Sequence, residues 1–171
     1  MVMETMVAKR ALRGLVAVGG LAVASAAAAM SMAGGNESMA PRHAAQSASI
    51  SVSGCWIRSL PPPAPSAAYF VVHNEGIRNA ALTGASSPAF GSVMLHKSIE
   101  SGGVSSMVME PRIPVPAKGN VTFKPGSYHA MLEKPRQKLV VGTKLELDLQ
   151  LASGETARAS CLVRPAGALS R

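Results

Sequence analysis

From residue 48 onward the chain alternates. Ile50, Val52, Gly54 and Trp56 share one phase, and Ser49, Ser51, Ser53 and Cys55 the other. A β-strand imposes this period of two by sending successive side chains to opposite faces. The clearest case lies over 144–151, where Leu145, Leu147, Leu149 and Leu151 alternate with Lys144, Glu146, Asp148 and Gln150. Ala152-Ser153-Gly154 then predicts a turn into a strand over 156–163, making a terminal hairpin. Residues 67–73 are rich in β-formers and stop at Asn74-Glu75-Gly76, a turn signal. Further strands are predicted over 80–85, 91–98, 104–109, 120–123 and 128–133. The proline run from Leu60 to Pro65 cannot supply ladder donors and reads as a rigid extended connection. No window after residue 48 carries a sustained helical apolar stripe. Short strands with turns roughly every 8–12 residues predict an all-β fold, an antiparallel sandwich or barrel.

The first 47 residues follow other rules. Lys9, Arg10 and Arg13 precede an uncharged, small-residue run over 14–29 that ends in Ala27-x-Ala29. This is the layout of a secretory signal, and the run is shorter than the ~20 residues a permanent transmembrane helix requires. Residues 1–29 are therefore expected to be a signal peptide, 30–47 a flexible Met-containing leader, 48–165 the β-domain and 166–171 a tail. The mature product should be soluble in the periplasm, with no stable membrane insertion after cleavage; an uncleaved anchor is the alternative. Met30, Met32, Met39 and His43 stand in the leader, either incidentally or as loose copper donors.

Losing Lys9, Arg10, Arg13 and Glu4 with the signal would take the net charge from +8 to +6. The remaining positive residues are scattered singly and aromatic residues are sparse, so no nucleic-acid surface is expected, whereas attraction to an acidic protein partner stays open. Cys55 and Cys161 are the only cysteines. Export would allow them to pair, yet the alternation places Cys161 inward with Ala157, Ala159 and Val163, and Cys55 on the side opposite Val52 and Trp56. On that phase the two sulfurs need not meet, and pairing is left open.

Catalytic templates are missing: no G-x-S-x-G, H-E-x-x-H, P-loop or G-x-G-x-x-G occurs, and no enzymatic activity is expected. What stands out is Met and His. Six of the seven Met and His residues after position 47 form the couples Met94-x-His96, Met107-x-Met109 and His129-x-Met131. On a strand each couple aims two donors at one face. Thioether with imidazole suits Cu(I), whereas zinc sites favour thiolates or more histidines and Ca²⁺ or Mg²⁺ require oxygen. Packing is the competing explanation, since a Met on an apolar face commonly fills gaps in a core. His73 belongs to no couple and reads as structural, Trp56 and Tyr128 as core or site-wall residues.

The spacing carries a resemblance. His96, ten residues, Met107, twenty-one residues, then His129-Ala130-Met131 is similar to the signature of the PCu(A)C-type periplasmic copper chaperones. So are the surrounding Cys55-Trp-Ile-Arg58, Pro61-Pro-Pro-Ala-Pro-Ser-Ala-Ala-Tyr69, Ala85-Ser-Ser-Pro88, Leu95-His96 and Pro125-Gly-Ser-Tyr-His129. The resemblance covers about residues 50–163. It implies a cupredoxin-like, antiparallel Greek-key β-sandwich. It also implies a Cu(I) site made by His96, Met107, His129 and Met131, and delivery of copper to an oxidase subunit or assembly factor. Met94 and Met109 are possible auxiliary ligands; Met94 precedes the first His where some members carry a Met after it, and Met109 could stand in for Met107. The cysteines are outside the signature.

Ligand exchange to a thiolate-rich acceptor is the expected mechanism, with metal affinity falling as imidazoles protonate. A blue-copper centre would require a Cys ligand with two nearby histidines, and neither cysteine has such company. Copper storage or detoxification, and a metal-free envelope interaction module, remain as rival functions; oligomeric state is not legible.

Overall fold

The computed structural model describes residues 44–169. The expected signal peptide, residues 30–43 of the leader and the last two residues of the tail lie outside them. Ten strands follow one another: β1 (Ile50–Arg58), β2 (Ser66–Asn74), β3 (Ala80–Ser86), β4 (Phe90–Ser101), β5 (Val104–Met109), β6 (Ile113–Val115), β7 (Asn120–Phe123), β8 (Tyr128–Pro135), β9 (Lys144–Leu151) and β10 (Thr156–Arg164). Nine of them match strands predicted from the sequence. The tenth, β6, was not anticipated: with Pro114 in the middle of three residues, it is too short to show a period.

The strands hydrogen-bond in the order β5-β4-β8-β7-β2-β1-β10-β9-β3-β6, with β2 also bonded to β8. β2 is the corner of this ladder. Its residues 66–68 pair with β8, its residues 70–73 with β7, and its other edge with β1. The two halves fold over a single apolar interior. Leu95, Ala130, Leu132, Phe70 and Phe123 come from one half, and Leu82, Ile113, Leu147, Leu149, Ala159 and Cys161 from the other. Phe70 and Phe123 stack with centroids 4.2 Å apart. β9 and β10 form the expected hairpin. Pairing is antiparallel except for β1 beside β10 and a one-residue contact of β7 with β8.

The phase reading of Cys55 is overturned. Ser53 pairs with Val71 but Trp56 with Tyr69, so β1 holds one extra residue between them, a β-bulge beginning at Gly54 with φ +59°. Alternation slips there by one position. Ile50 and Val52 face the core before the bulge, Cys55 and Ile57 after it, and Trp56 turns outward onto Tyr69 and Ala67. Cys55 thereby meets Cys161 across the parallel β1–β10 pair, with Cα atoms 4.4 Å apart, and the two form a disulfide.

The sheet's two edges differ. β6 is short, proline-bearing and has Ile113 and Val115 buried, whereas every residue of β5 is exposed. β5 returns from β4 through Gly102-Gly103, both with positive φ, as a two-residue hairpin turn of this handedness requires. Gln46 bridges to Thr156, which ties residues 45–47 to the start of β10.

Candidate metal centre

Strand register decides which donors meet. Between β4 and β8, His96 stands opposite His129 and Met94 opposite Met131. Between β4 and β5, His96 stands opposite Met109 and Ser98 opposite Met107. Because residues two apart share a face, all six Met and His residues of the three couples project from one side of the three-stranded unit β5-β4-β8. Their neighbours Leu95, Ala130 and Leu132 point the other way, into the core. The His96 and His129 rings approach edge to face, with centroids 5.8 Å apart.

The donors lie at different depths. His96 is 8% exposed and His129 6%, Met131 is half-buried, and Met107 is 61% exposed. Met107, His129 and Met131 line one cleft of 340 Å³ with Arg58, Ser66, Tyr69 and Ser98. His96 adjoins that cleft through its cross-strand partner, Met94 pairs with Met131 at the far end, and Met109 (63% exposed) lies on the solvent side of His96. By chemistry Met109 could substitute for Met107, and the spacing alone favours Met107; Met107 is also the one that shares a cleft with His129 and Met131.

The two imidazoles are held in different ways. His129 donates its Nδ1–H to the carbonyl oxygen of Ser127 at 3.1 Å, which leaves Nε2 with its lone pair; such an outer hydrogen bond is what orients metal-binding histidines. The Nδ1 atom of His96 is buried and has no hydrogen-bond partner among the described residues. Leaving such an atom unsatisfied costs about 1–3 kcal/mol. Burial, and next the charge of His129, push the His96 pKa below 6.5, with Glu133 opposing. A ring that resists protonation is free to act as a ligand near neutrality.

Among the described residues no three His, Cys, Asp or Glu side chains cluster so as to hold a metal ion. A metal at this cleft would have to use sulfur from methionine, and two imidazoles with two thioethers form a neutral, soft donor set fitting Cu(I). Both cysteines are joined to each other and supply no thiolate. His73 lies elsewhere, sharing a 2.7 Å hydrogen bond with the Ser53 hydroxyl. Tyr128 faces away from the histidines, against Phe123 and under Lys97. Arg58, Ser66 and Ser98 were not anticipated as wall residues. Arg58 stood in the family-like frame without a role, and its side chain comes to the cleft only because the bulge at Gly54 resets β1.

Solved structures share this fold. The apo PCuAC domain of PmoF2 superposes with a TM-score of 0.60 at 25% identity, covering 75% of this chain and all of that one. The Cu(I) form of DR1885 from Deinococcus radiodurans gives 0.53 at 30% identity, over 65% of this chain and 75% of that one. The architecture is accordingly the expected cupredoxin-like sandwich. Among sequences, "Putative lipoprotein Lxx21020" of Leifsonia xyli subsp. xyli is 29% identical over 65% of this chain and 67% of its own length. "Uncharacterized protein RP573" of Rickettsia prowazekii is 34% identical over 48% of this chain and 46% of its own. Residues 50–163, the whole ten-stranded domain, match the family described as "Putative lipoprotein LpqE-like", and the chain belongs to that LpqE-like family.

Proposed function

We propose that this protein binds one Cu(I) ion through His96, Met107, His129 and Met131 and hands it, outside the cytoplasm, to a copper-accepting protein of cytochrome oxidase assembly. The observation that carries the reading is the cleft itself. Two histidines from adjacent strands, each with a ring nitrogen free of protein partners among the described residues, share one outer face with two thioethers. Support comes also from a structural neighbour whose title names Cu(I). The lipoprotein names of the family and of a relative fit export to the periplasm, as does the secretory layout of residues 1–29. Among the described residues no helix is long and apolar enough to cross a membrane.

Depth explains transfer. Met107 is the outermost donor and the first that an incoming ligand reaches, while the histidines and Met131 keep hold of the ion from below. Copper would leave by stepwise replacement of labile thioethers, with no unfolding of the sandwich. Met94 and Met109 flank the four ligands as auxiliary donors, one at each end of the row.

Anaerobic titration of the mature protein against a chromophoric Cu(I) chelator tests this. One equivalent should be withheld from the chelator, colourlessly, and His96→Ala, Met107→Leu and His129→Ala should each weaken binding at least tenfold while preserving the β-sheet circular dichroism. Met109→Leu should have a smaller effect than Met107→Leu. Binding that is absent, or equal in all variants, would return the domain to the metal-free interaction reading. Withheld copper that never passes to a thiol acceptor would favour storage.

A further inference from the structure

The cleft beside the proposed copper ligands contains a cation, and among the described residues no carboxylate stands in its wall. Arg58, the last residue of β1, lines it with Met107, His129 and Met131. Arg58 pairs with Ala67, and Ala67 with Met131, so two strand spacings put its Cα roughly 10 Å from that of Met131. The ion pair between Arg158 and Asp148 lies elsewhere and does not involve Arg58. The Arg58 guanidinium instead rests 5.6 Å over the ring of Tyr69, which Trp56 backs at 4.6 Å. Its Nε is buried and meets no acceptor among the described residues. The aromatic stack fixes the side chain but uses none of its N–H donors. No Asp or Glu lines the cleft, and Glu133, on the same face of β8, lies outside its wall.

An arginine is a poor neighbour for a stored cation. The four ligands are neutral, so bound Cu(I) would add its charge to that of Arg58 in a half-enclosed space with nothing negative in its wall. The same arginine is a good neighbour for a group that arrives negatively charged, because guanidinium N–H donors aimed at an anion make the strongest class of hydrogen bond. A nearby arginine also favours the thiolate over the thiol.

We propose that Arg58 is the receiving group for the anionic donor of the copper acceptor, a cysteine thiolate that enters the cleft and replaces Met107. The proposal rests on the copper-delivery reading and adds to it a recognition residue that is not a metal ligand. In the exchange a bond forms between the acceptor sulfur and copper, and the bond from copper to the Met107 Sδ breaks. Copper stays Cu(I), and the thiol proton goes to water. Arg58 acts as a positioning residue: it holds the incoming thiolate and offsets its charge until the copper–sulfur bond has formed.

The test is anaerobic stopped-flow transfer from copper-loaded wild type, Arg58→Gln and Arg58→Lys to two synthetic peptides. One carries a Cys-Ser-Ser-Ser-Cys segment, the other the same segment with Met in place of Cys. Arg58→Gln should slow transfer to the cysteine peptide about tenfold, the scale of electrostatic steering, and leave transfer to the methionine peptide within about twofold. Arg58→Lys should restore most of the rate, and Arg58→Gln should bind Cu(I) about two- to fivefold more tightly, since a repelling charge is gone. In the copper-free protein, the NMR signal of the Arg58 Nε–H should shift with mercaptoacetate, whose carboxylate stands in for the incoming anion at neutral pH, and stay put with neutral 2-mercaptoethanol. A shift with chloride alone would assign the subsite to a free anion instead. Equal slowing toward both peptides, or no slowing, would overturn the proposal. Failure of wild type to bind Cu(I) would overturn the copper reading instead and leave the mercaptoacetate result to judge Arg58 independently.

Discussion

The two faces of β4 and β8 are made of alternate residues of the same strands and follow different rules. Leu95, Ala130 and Leu132 turn inward and are 3%, 0% and 1% exposed. Met94, His96, His129 and Met131 turn outward and hold every donor that these strands give to the candidate centre. The inner face answers to volume and apolar area, the outer face to the chemistry of lone pairs. Adjacent residues can therefore have unrelated jobs, and a one-residue slip in register would exchange the two sets.

Substitutions can separate the faces. The largest effect is expected on the inner side, from the Cys55–Cys161 bridge, whose two ends lie 106 residues apart. Replacing both cysteines by Ala should cost about 4–5 kcal/mol on chain-entropy grounds, read by denaturant melts, with the copper affinity of the folded fraction unchanged. Leu132→Ala should follow at about 3 kcal/mol, the usual scale for emptying a buried leucine site, again without effect on copper. Its neighbour Met131→Leu reverses that pattern. It keeps the volume, so the melt should move by less than about 1.5 kcal/mol, while copper affinity falls about tenfold, equivalent to about 1.4 kcal/mol. Copper loss in Leu132→Ala matching that in Met131→Leu would break the distinction between faces.

Acid should produce the smallest change. Burial, and next the charge of His129, hold the His96 pKa below 6.5, so the unfolded chain takes up the proton first. Stability contributed by the neutral ring is intact above pH 6.5 and is lost as pH falls through the lower, folded-state pKa. The melting temperature of copper-free protein should drop across that window, and less so in His96→Gln. Copper affinity should decline with it, because proton and metal compete for the same nitrogen.

The strands were legible from alternation in the longer ones and from β-former content bounded by turn signals in β2, and the donor couples because i and i+2 share a face. β6 escaped notice since Pro114 leaves it no alternation to read. The disulfide stayed an open question because phase was carried straight through Gly54, where the bulge resets it; a glycine inside an otherwise regular strand is the only local sign of that reset. The cross-strand partners His96–His129 and Ser98–Met107 depend on how distant segments align, and neither strand's own pattern contains that alignment. The stack of Arg58 on Tyr69 was hidden for both reasons.

The graded depth of the thioethers has a consequence for handling and for life in an oxidising compartment. Met107 and Met109 are 61% and 63% exposed, whereas Met131 is half-buried. Peroxide converts exposed methionine to the sulfoxide, a polar group that is no longer a thioether donor. Mild oxidation should therefore silence the outermost proposed ligand first and leave the histidines and Met131 intact. The protein would remain folded, gain sixteen mass units on a β5 peptide, and lose its grip on copper from the solvent side inward, a lesion that methionine sulfoxide reductase can undo.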